Sequence, residues 1–152
     1  MINGVVIKEL NTYADERGYF REIIRVTDGF FKEGFGQLSV SCMHAGVIKA
    51  WHIHKKQSDW WYVHGGVIRV ALYDTRKKSS TYKELDEFIL GDNQLAQVLL
   101  VPPGVAHGCK CISGPANLFY VTSDVYNPDD EGRIAYNDSE IGYDWFKPAT
   151  IK

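Results

Sequence analysis

Two histidines and a carboxylate lie close together in the middle of the 152-residue chain. One residue separates His52 from His54, and Asp59 follows His54 by five positions. A β-strand places residues i and i+2 on one face, so both imidazoles are expected to point the same way. Imidazole nitrogens can move a proton near neutral pH or ligate a metal, and carboxylates also ligate metals. The segment therefore predicts either proton transfer or metal binding.

A third histidine follows much later, where His107 ends the segment Pro102–His107. Together the four groups would offer three imidazoles and one carboxylate, a set that suits Fe(II), Mn(II), Ni(II), Cu(II) or Zn(II). The spacing does not choose among these metals. His52 cannot ligate a metal and serve as a free base at once, so the two roles exclude each other at this residue.

Short strands are predicted to position these groups, because β-branched and aromatic residues recur in brief runs between turn residues. Many such runs at about ten-residue spacing favour an all-β sandwich or barrel. Evidence for helix is limited to residues 27–34, which are predicted to form a short turn. The predicted strands are Gly18–Val26, Gly36–Met43, Val47–His54, Asp59–His64, Val67–Tyr73, Glu87–Leu90, Ala96–Val101, His107–Ile112 and Asn117–Ser123.

Regular alternation along the strand Val47–His54 has a consequence for the site. Lys49 and Trp51 have the opposite parity to His52, so both are expected to face away from it. A bend at Ala50 would be needed to bring Lys49 and His52 into one pocket.

Composition limits the classes of partner. Seventeen Lys and Arg residues face nineteen Asp and Glu residues, which gives a net charge of −2. Nucleic-acid binding requires clustered basic charge, and a membrane span requires about 18 to 20 consecutive apolar residues, so neither is expected. The N-terminus has no secretion-signal pattern and the cysteine count is odd, which predicts a cytoplasmic protein with reduced cysteines and one domain over residues 1–152.

The histidine spacing resembles the two sequence motifs of the cupin superfamily. The first motif reads G-x5-H-x-H-x4-E-x6-G, and the second reads P-x-G-x2-H. The matching residues are Gly46, His52, His54, Asp59 (in place of Glu) and Gly66 for the first, and Pro102–His107 for the second. The resemblance implies a double-stranded β-helix jelly roll, called a cupin barrel, which agrees with the strand pattern.

A second resemblance covers nearly the whole chain. Asp15–Glu22 reads D-x-R-G-x-F-x-E, as in the dTDP-4-dehydrorhamnose 3,5-epimerase family, which is itself built on the cupin jelly roll. Further segments match that family in the same order, namely Gln37–His52, Asp74–Tyr82, Pro103–Gly108 and Tyr120–Trp145.

This resemblance implies an isomerase that acts on a nucleotide-linked 4-keto-6-deoxy sugar. A base removes the proton next to the carbonyl, and an acid returns a proton to the opposite face. By motif, His52 is the base and Tyr120 the acid, with Tyr126 as a competing acid. The implied substrate contacts are Arg17, Glu22, Gln37, Lys49 and Tyr126. This chemistry requires no cofactor.

The same resemblance implies a homodimer. Family members exchange N-terminal strands, so a segment of about residues 1–30 is expected to cross to the partner. Arg17 would then reach the partner's pocket.

Some positions depart from the family pattern. Lys49 replaces an Arg, His54 replaces a Gln, and Asp59 replaces the Lys that steadies the enolate. The family also orients its base with an Asp near the C-terminus, for which no match precedes Lys152. A metal at the predicted site would act in place of the missing Lys. Two alternatives therefore stand beside the epimerase: a metal-dependent cupin enzyme acting on a small oxygenated substrate, and a non-catalytic sugar-nucleotide binding protein.

Overall fold

The computed structural model describes residues 1–92 and 96–148. Within these ranges the chain folds into twelve β-strands and no helix. The strands are β1 (Val6–Glu9), β2 (Tyr13–Asp15), β3 (Gly18–Phe20), β4 (Gln37–Met43), β5 (Ile48–His54), β6 (Asp59–His64), β7 (Val67–Asp74), β8 (Leu85–Gly91), β9 (Gln97–Val101), β10 (Val105–Ser113), β11 (Ala116–Thr122) and β12 (Glu131–Arg133). Residues 149–152 of the predicted domain lie outside the described part.

Ten strands form two five-stranded sheets, and β2 and β3 form a separate hairpin. The first sheet has the order β1-β9-β6-β11-β4, and the second has the order β12-β5-β10-β7-β8. Their facing surfaces share one apolar core, to which Trp61 and Leu99 contribute from the first sheet and Ile68 and Leu72 from the second. The all-β jelly-roll prediction is confirmed, although the two sheets do not close into a barrel.

The N-terminal third differs most from the sequence-based strands. The predicted strand Gly18–Val26 is wrong beyond Phe20, where β3 ends. Ile23, Ile24, Phe30 and Phe31 instead cover the outer surface of the first sheet around Trp60. Burying these apolar side chains stabilises the loop without strand pairing. Hydrogen-bonded turns span residues 25–28 and 28–31, so they overlap only the first part of the turn predicted over residues 27–34.

A β-bulge in β5 determines which side chains face the interior. His107 pairs with His52, and Cys109 pairs with Lys49, so three steps along β5 oppose two steps along β10. The additional residue reverses the alternation, as bulges do. This irregularity supplies the bend that the sequence required at Ala50.

Two observations confirm how the bulge is accommodated. Trp51 faces away from His52, as predicted, and packs against Trp145 with ring centroids 5.0 Å apart. Gly108 lies opposite the bulge, where a Cβ atom would come within 2.5 Å of the Cβ atom of Ala50. Glycine at position 108 therefore permits the close approach of β5 and β10.

The segment after β11 packs on the outside of the second sheet. Ile141, Tyr143 and Trp145 join an apolar cluster with Trp51 on this surface. Lys110 Nζ donates a hydrogen bond of 2.8 Å to the carbonyl of Trp145. Ile134, the residue that follows β12, packs against the same cluster. No helix in the described ranges has the length and hydrophobicity to cross a membrane.

Candidate active site

A cavity of about 340 Å³ opens between the two sheets. Both sheets contribute its walls, which explains why residues far apart in sequence meet there. Eight of the ten predicted site residues line this pocket: Gln37, Lys49, His52, His54, Asp59, His107, Tyr120 and Tyr126.

His52 is held by a carboxylate from the edge strand. Its Nδ1 atom lies 2.9 Å from Oε1 of Glu131. Partial burial alone would raise the pKa of Glu131, but the hydrogen bond from His52 and the charge of Arg133 hold that pKa below its usual value. An ionised carboxylate only accepts hydrogen bonds, so the proton at this contact belongs to Nδ1 of His52. The lone pair of the neutral ring is then on Nε2.

Tyr120 lies on β11 and therefore belongs to the sheet opposite His52. Both side chains line the same cavity and are half-buried. Tyr126 lines the cavity as well, but it is 66% exposed, at the outer edge. The arrangement puts an imidazole and a phenol on facing walls, with a second phenol nearer to solvent.

The remaining predicted metal ligands form a separate, deeper cluster. One donor atom from each of His54, Asp59 and His107 lies within 4.8 Å of the others. His52 is not part of this group, and its Nδ1 atom is instead hydrogen-bonded to Glu131. Three of the four predicted ligands therefore converge.

The protonation of His107 follows from its contacts. Its Nδ1 atom lies 3.0 Å from the carbonyl oxygen of Val105, which can only accept, so Nδ1 carries a hydrogen. Burial lowers the pKa of His107 to about 4, against the opposing charge of Asp59, so the ring is neutral at pH 7. Its Nε2 lone pair then faces Oδ2 of Asp59 at 3.9 Å. Two electron-rich atoms face each other, an arrangement that a bound cation would stabilise.

Asp59 is buried and receives only neutral donors. Gln57 Nε2 donates to its Oδ1 atom at 2.7 Å, and Trp61 Nε1 donates to its Oδ2 atom at 3.3 Å. The Nδ1 atom of His54 is also buried and has no hydrogen-bond partner among the described residues. The chemistry of these donors therefore suits a divalent cation bound by His54, Asp59 and His107.

Polar side chains near the mouth of the pocket are fixed by hydrogen bonds. Lys49 Nζ donates to Oγ of Ser41 at 2.5 Å. Gln37 donates through Nε2 to Oγ of Ser39 at 2.9 Å and accepts the backbone N–H of Tyr126 at 3.0 Å. These residues offer a cation and amide groups to a polar ligand.

Two predicted substrate contacts lie elsewhere in this chain. Arg17 occupies the turn of the β2–β3 hairpin, where it pairs with Asp15 and is largely exposed. Glu22 lies beside a small polar groove with Arg25. Neither residue lines the pocket formed by its own chain.

Three further residues contact the predicted site residues and were not predicted from the sequence: Glu131 meets His52, and Gln57 and Trp61 meet Asp59. Glu131 lies within the segment Tyr120–Trp145 that matches the family, but the match gives it no role. Nothing in the spacing of β12 and β5 along the chain predicts their pairing. Gln57 and Trp61 flank Asp59 in sequence at i±2, and strand alternation is the signal that could have linked them.

Comparison with known proteins gives a consistent result. The family model described as dTDP-4-dehydrorhamnose 3,5-epimerase matches residues 1–152. The chain is 43% identical over 148 residues to the spore coat polysaccharide biosynthesis protein SpsL of Bacillus subtilis, covering 95% of this chain and 97% of that protein.

Two solved structures are similar throughout. The dTDP sugar isomerase from Desulfovibrio desulfuricans has a TM-score of 0.90 at 26% identity, covering 97% of this chain and 94% of that one. The epimerase RmlC from Legionella pneumophila, in complex with dTDP-4-keto-L-rhamnose, has a TM-score of 0.87 at 27% identity, covering 99% of this chain and 83% of that one. The jelly roll of this chain is therefore the fold of dTDP-sugar epimerases.

Proposed function

The chain belongs to the dTDP-4-dehydrorhamnose 3,5-epimerase family, and we propose that it epimerises a nucleotide-linked 4-keto-6-deoxy sugar. The observation that supports this most directly is the placement of His52 and Tyr120 on facing walls of one pocket. Inversion of a carbon requires a proton to leave one face and another to arrive on the opposite face, which this placement provides.

The proposed reaction uses side chains of the pocket alone. Nε2 of His52 removes the proton from a carbon next to the 4-keto group, and the electron pair moves onto the carbonyl oxygen to form an enolate. Tyr120 then donates its phenolic proton to the opposite face of the same carbon. His52 then releases its extra proton to solvent, and the Tyr120 phenolate takes a proton from solvent. Both side chains return to their starting states.

Deuterium incorporation tests this proposal. With dTDP-4-keto-6-deoxyglucose in D₂O, we expect NMR and mass spectrometry to show deuterium at a carbon next to the carbonyl. His52→Asn should abolish it, and Tyr120→Phe should lower the rate on the order of 10²- to 10⁴-fold, as expected for a lost proton donor. His44→Asn and Tyr136→Phe change exposed residues outside the pocket and serve as matched controls. An unchanged rate in His52→Asn would refute the assignment.

The same experiment separates the two tyrosines. If Tyr120 is the acid, Tyr126→Phe should affect binding more than turnover, because Tyr126 lies at the exposed edge of the pocket. The opposite result, with turnover lost only in Tyr126→Phe, would reassign the acid.

A divalent cation at His54, Asp59 and His107 is a second proposal, supported by the convergence of their donor atoms. Such a cation would stabilise a developing enolate oxygen, the role that the family gives to a Lys where this chain has Asp59. Untagged protein should then retain about one metal ion per chain in elemental analysis. His54→Gln should lose this metal, whereas His44→Gln should retain it. Absence of metal, together with no change in melting temperature across Mn, Fe, Co, Ni and Zn, would contradict the proposal.

A homodimer is the proposed assembly. Among the described residues, strand β4 is the last strand at one edge of the first sheet and exposes Leu38 and Val40, and the β2–β3 hairpin exposes Phe20. Sheet edges of this kind readily pair with a second copy. A second copy is also the partner that could receive Arg17 from the hairpin turn.

Light scattering tests the assembly. We expect twice the chain mass of 17.3 kDa at micromolar concentration. Val40→Glu should produce monomer, and Ile112→Glu, which changes an exposed residue outside both β4 and the N-terminal segment of residues 1–30, should not. A wild-type mass near 17.3 kDa would refute the dimer.

A further inference from the structure

We infer that Glu131 is the positioning residue that orients His52 as the base, an inference that rests on the proposed function of His52. The basis is a contact between residues 79 positions apart, in which Nδ1 of His52 meets Oε1 of Glu131 at 2.9 Å. The family resemblance gives this role to an Asp near the C-terminus, for which the sequence offers no match. In the described part of this chain, the carboxylate that meets His52 is Glu131, on the edge strand β12.

Strand β12 is well suited to hold a carboxylate in place. It pairs antiparallel with β5, with Glu131 opposite His54 and Arg133 opposite His52. Beyond the paired residues, Ile134 and Trp51 exchange both backbone hydrogen bonds at 3.1 Å. Functional groups carried on paired strands keep their geometry better than groups carried on loops.

The turn before β12 is also anchored. The carboxylate of Asp130 accepts the backbone N–H groups of Lys56 and Gln57 at 3.0 and 3.1 Å. The N–H of Lys55 reaches the carbonyl of Asp130 at 3.3 Å. The chain before Glu131 and the chain after it are therefore both hydrogen-bonded to β5 and to the residues that follow it.

The contact selects the chemical form of His52. A carboxylate that accepts from Nδ1 leaves the lone pair on Nε2, the form that can remove a proton. After proton transfer, the same carboxylate faces an imidazolium and stabilises its charge. Arg133 Nη2 donates to the same oxygen at 2.9 Å, which keeps the carboxylate in a defined orientation.

A purely structural ion pair between β12 and β5 is the competing explanation. The two explanations differ in what Glu131→Gln should do. The amide is nearly isosteric, but its NH₂ group can donate to Nδ1 and thereby move the ring hydrogen to Nε2. A positioning role predicts loss of turnover with an intact fold, whereas a structural role predicts loss of stability with turnover retained in the folded protein.

Kinetics with the 4-keto sugar nucleotide provide the first test. Glu131→Gln should lower kcat for deuterium incorporation on the order of 10²- to 10⁴-fold with little change in KM. Glu131→Asp, which retains the charge, should recover part of the loss. Asp129→Asn removes a neighbouring exposed carboxylate and should have no effect. A kcat within threefold of the wild type in Glu131→Gln would overturn the inference.

A spectroscopic readout makes the test independent of activity. Nitrogen-15 NMR of the histidine rings should show His52 with its hydrogen on Nδ1 in the wild type and a shift toward Nε2 in Glu131→Gln. If the wild-type ring carries its hydrogen on Nε2, or if the substitution leaves the tautomer unchanged, the inference fails even where the enzyme is active. If the tautomer shifts but no substrate exchanges deuterium, the positioning role stands and the proposed function fails.

Discussion

Two buried carboxylates in this molecule have very different surroundings. Asp74, at the end of β7, is fully buried and receives two hydrogen bonds of 2.8 Å from the guanidinium of Arg76 and one of 2.6 Å from Thr81. Asp59, in the pocket, is also buried but receives only an amide and an indole N–H. Both positions belong to motifs, yet only one has its charge balanced by the protein.

The difference separates a carboxylate that serves the fold from one that serves the site. Every strong acceptor position of Asp74 is used within the loop between β7 and β8, so it has no capacity left for a ligand. Asp59 faces His54 and His107, and within the described ranges no Lys or Arg side chain pairs with its carboxylate. Buried charges that lack a partner are costly, and proteins retain them mainly where function requires them.

The largest effect on stability is expected when the charge of Asp74, which Arg76 balances, is removed. Asp74→Asn should lower the free energy of unfolding by about 3 kcal/mol, because it removes the buried carboxylate that balances the charge of the partly buried Arg76. Urea denaturation measures this loss. Asp129→Asn, at an exposed position, should change the same quantity by less than about 0.5 kcal/mol. If Asp74→Asn lowers the free energy of unfolding by less than about 1 kcal/mol, then Asp74 does not stabilise the fold more than Asp59 does.

A smaller effect should appear in the pH dependence. Burial alone would raise the pKa of Asp74, but hydrogen bonds from Arg76, Ser79 and Thr81 hold it far below its usual value. Below about pH 4 the unfolded chain binds a proton at this residue and the native state does not, so the wild type loses stability as the pH falls. Asp74→Asn lacks this dependence. The difference in unfolding free energy between the two proteins should therefore narrow from pH 5 to pH 2.5, and a constant difference would contradict the assignment.

The smallest effect on stability is expected at the site. Asp59→Asn should change the free energy of unfolding by less than about 1 kcal/mol in protein dialysed against EDTA, because no cationic side chain loses its partner. The same variant should nevertheless alter turnover and any metal content. If Asp59→Asn destabilises the metal-free protein as strongly as Asp74→Asn, both carboxylates serve the fold.

The sequence predicted the strands that carry the site with good accuracy. The strand Asp59–His64 was predicted with both of its bounds, and β4, β5 and β11 within one residue at each end. These strands are long and rich in β-branched and aromatic residues, so local pattern decides them. Strands β1, β2 and β12 were missed because they are three or four residues long and depend on a partner distant in sequence.

In the candidate site, too, the features that depend on contacts between distant strands were not predicted from the sequence. The i, i+2 spacing of His52 and His54 predicted one shared metal site, but their side chains have different partners. Pairing with β12 brings Glu131 to His52, and the bulge at Ala50 brings Lys49 into the pocket. Both effects depend on the neighbouring strands rather than on the residues of β5 themselves. Periodicity along a single strand therefore identified the candidate residues but not their roles.

The short edge strand β12 gives the enzyme a local route to inactivation. Edge strands of this length are among the first segments to open in native-state fluctuations, at a free-energy cost well below that of global unfolding. Opening of three residues would withdraw Glu131 from His52, while the second sheet lost one short edge and the first sheet stayed intact. Hydrogen exchange of the Gly132 amide would then report on how often the base is out of alignment. Under the proposed role of Glu131, opening of this strand alone would inactivate a molecule whose jelly roll remains folded.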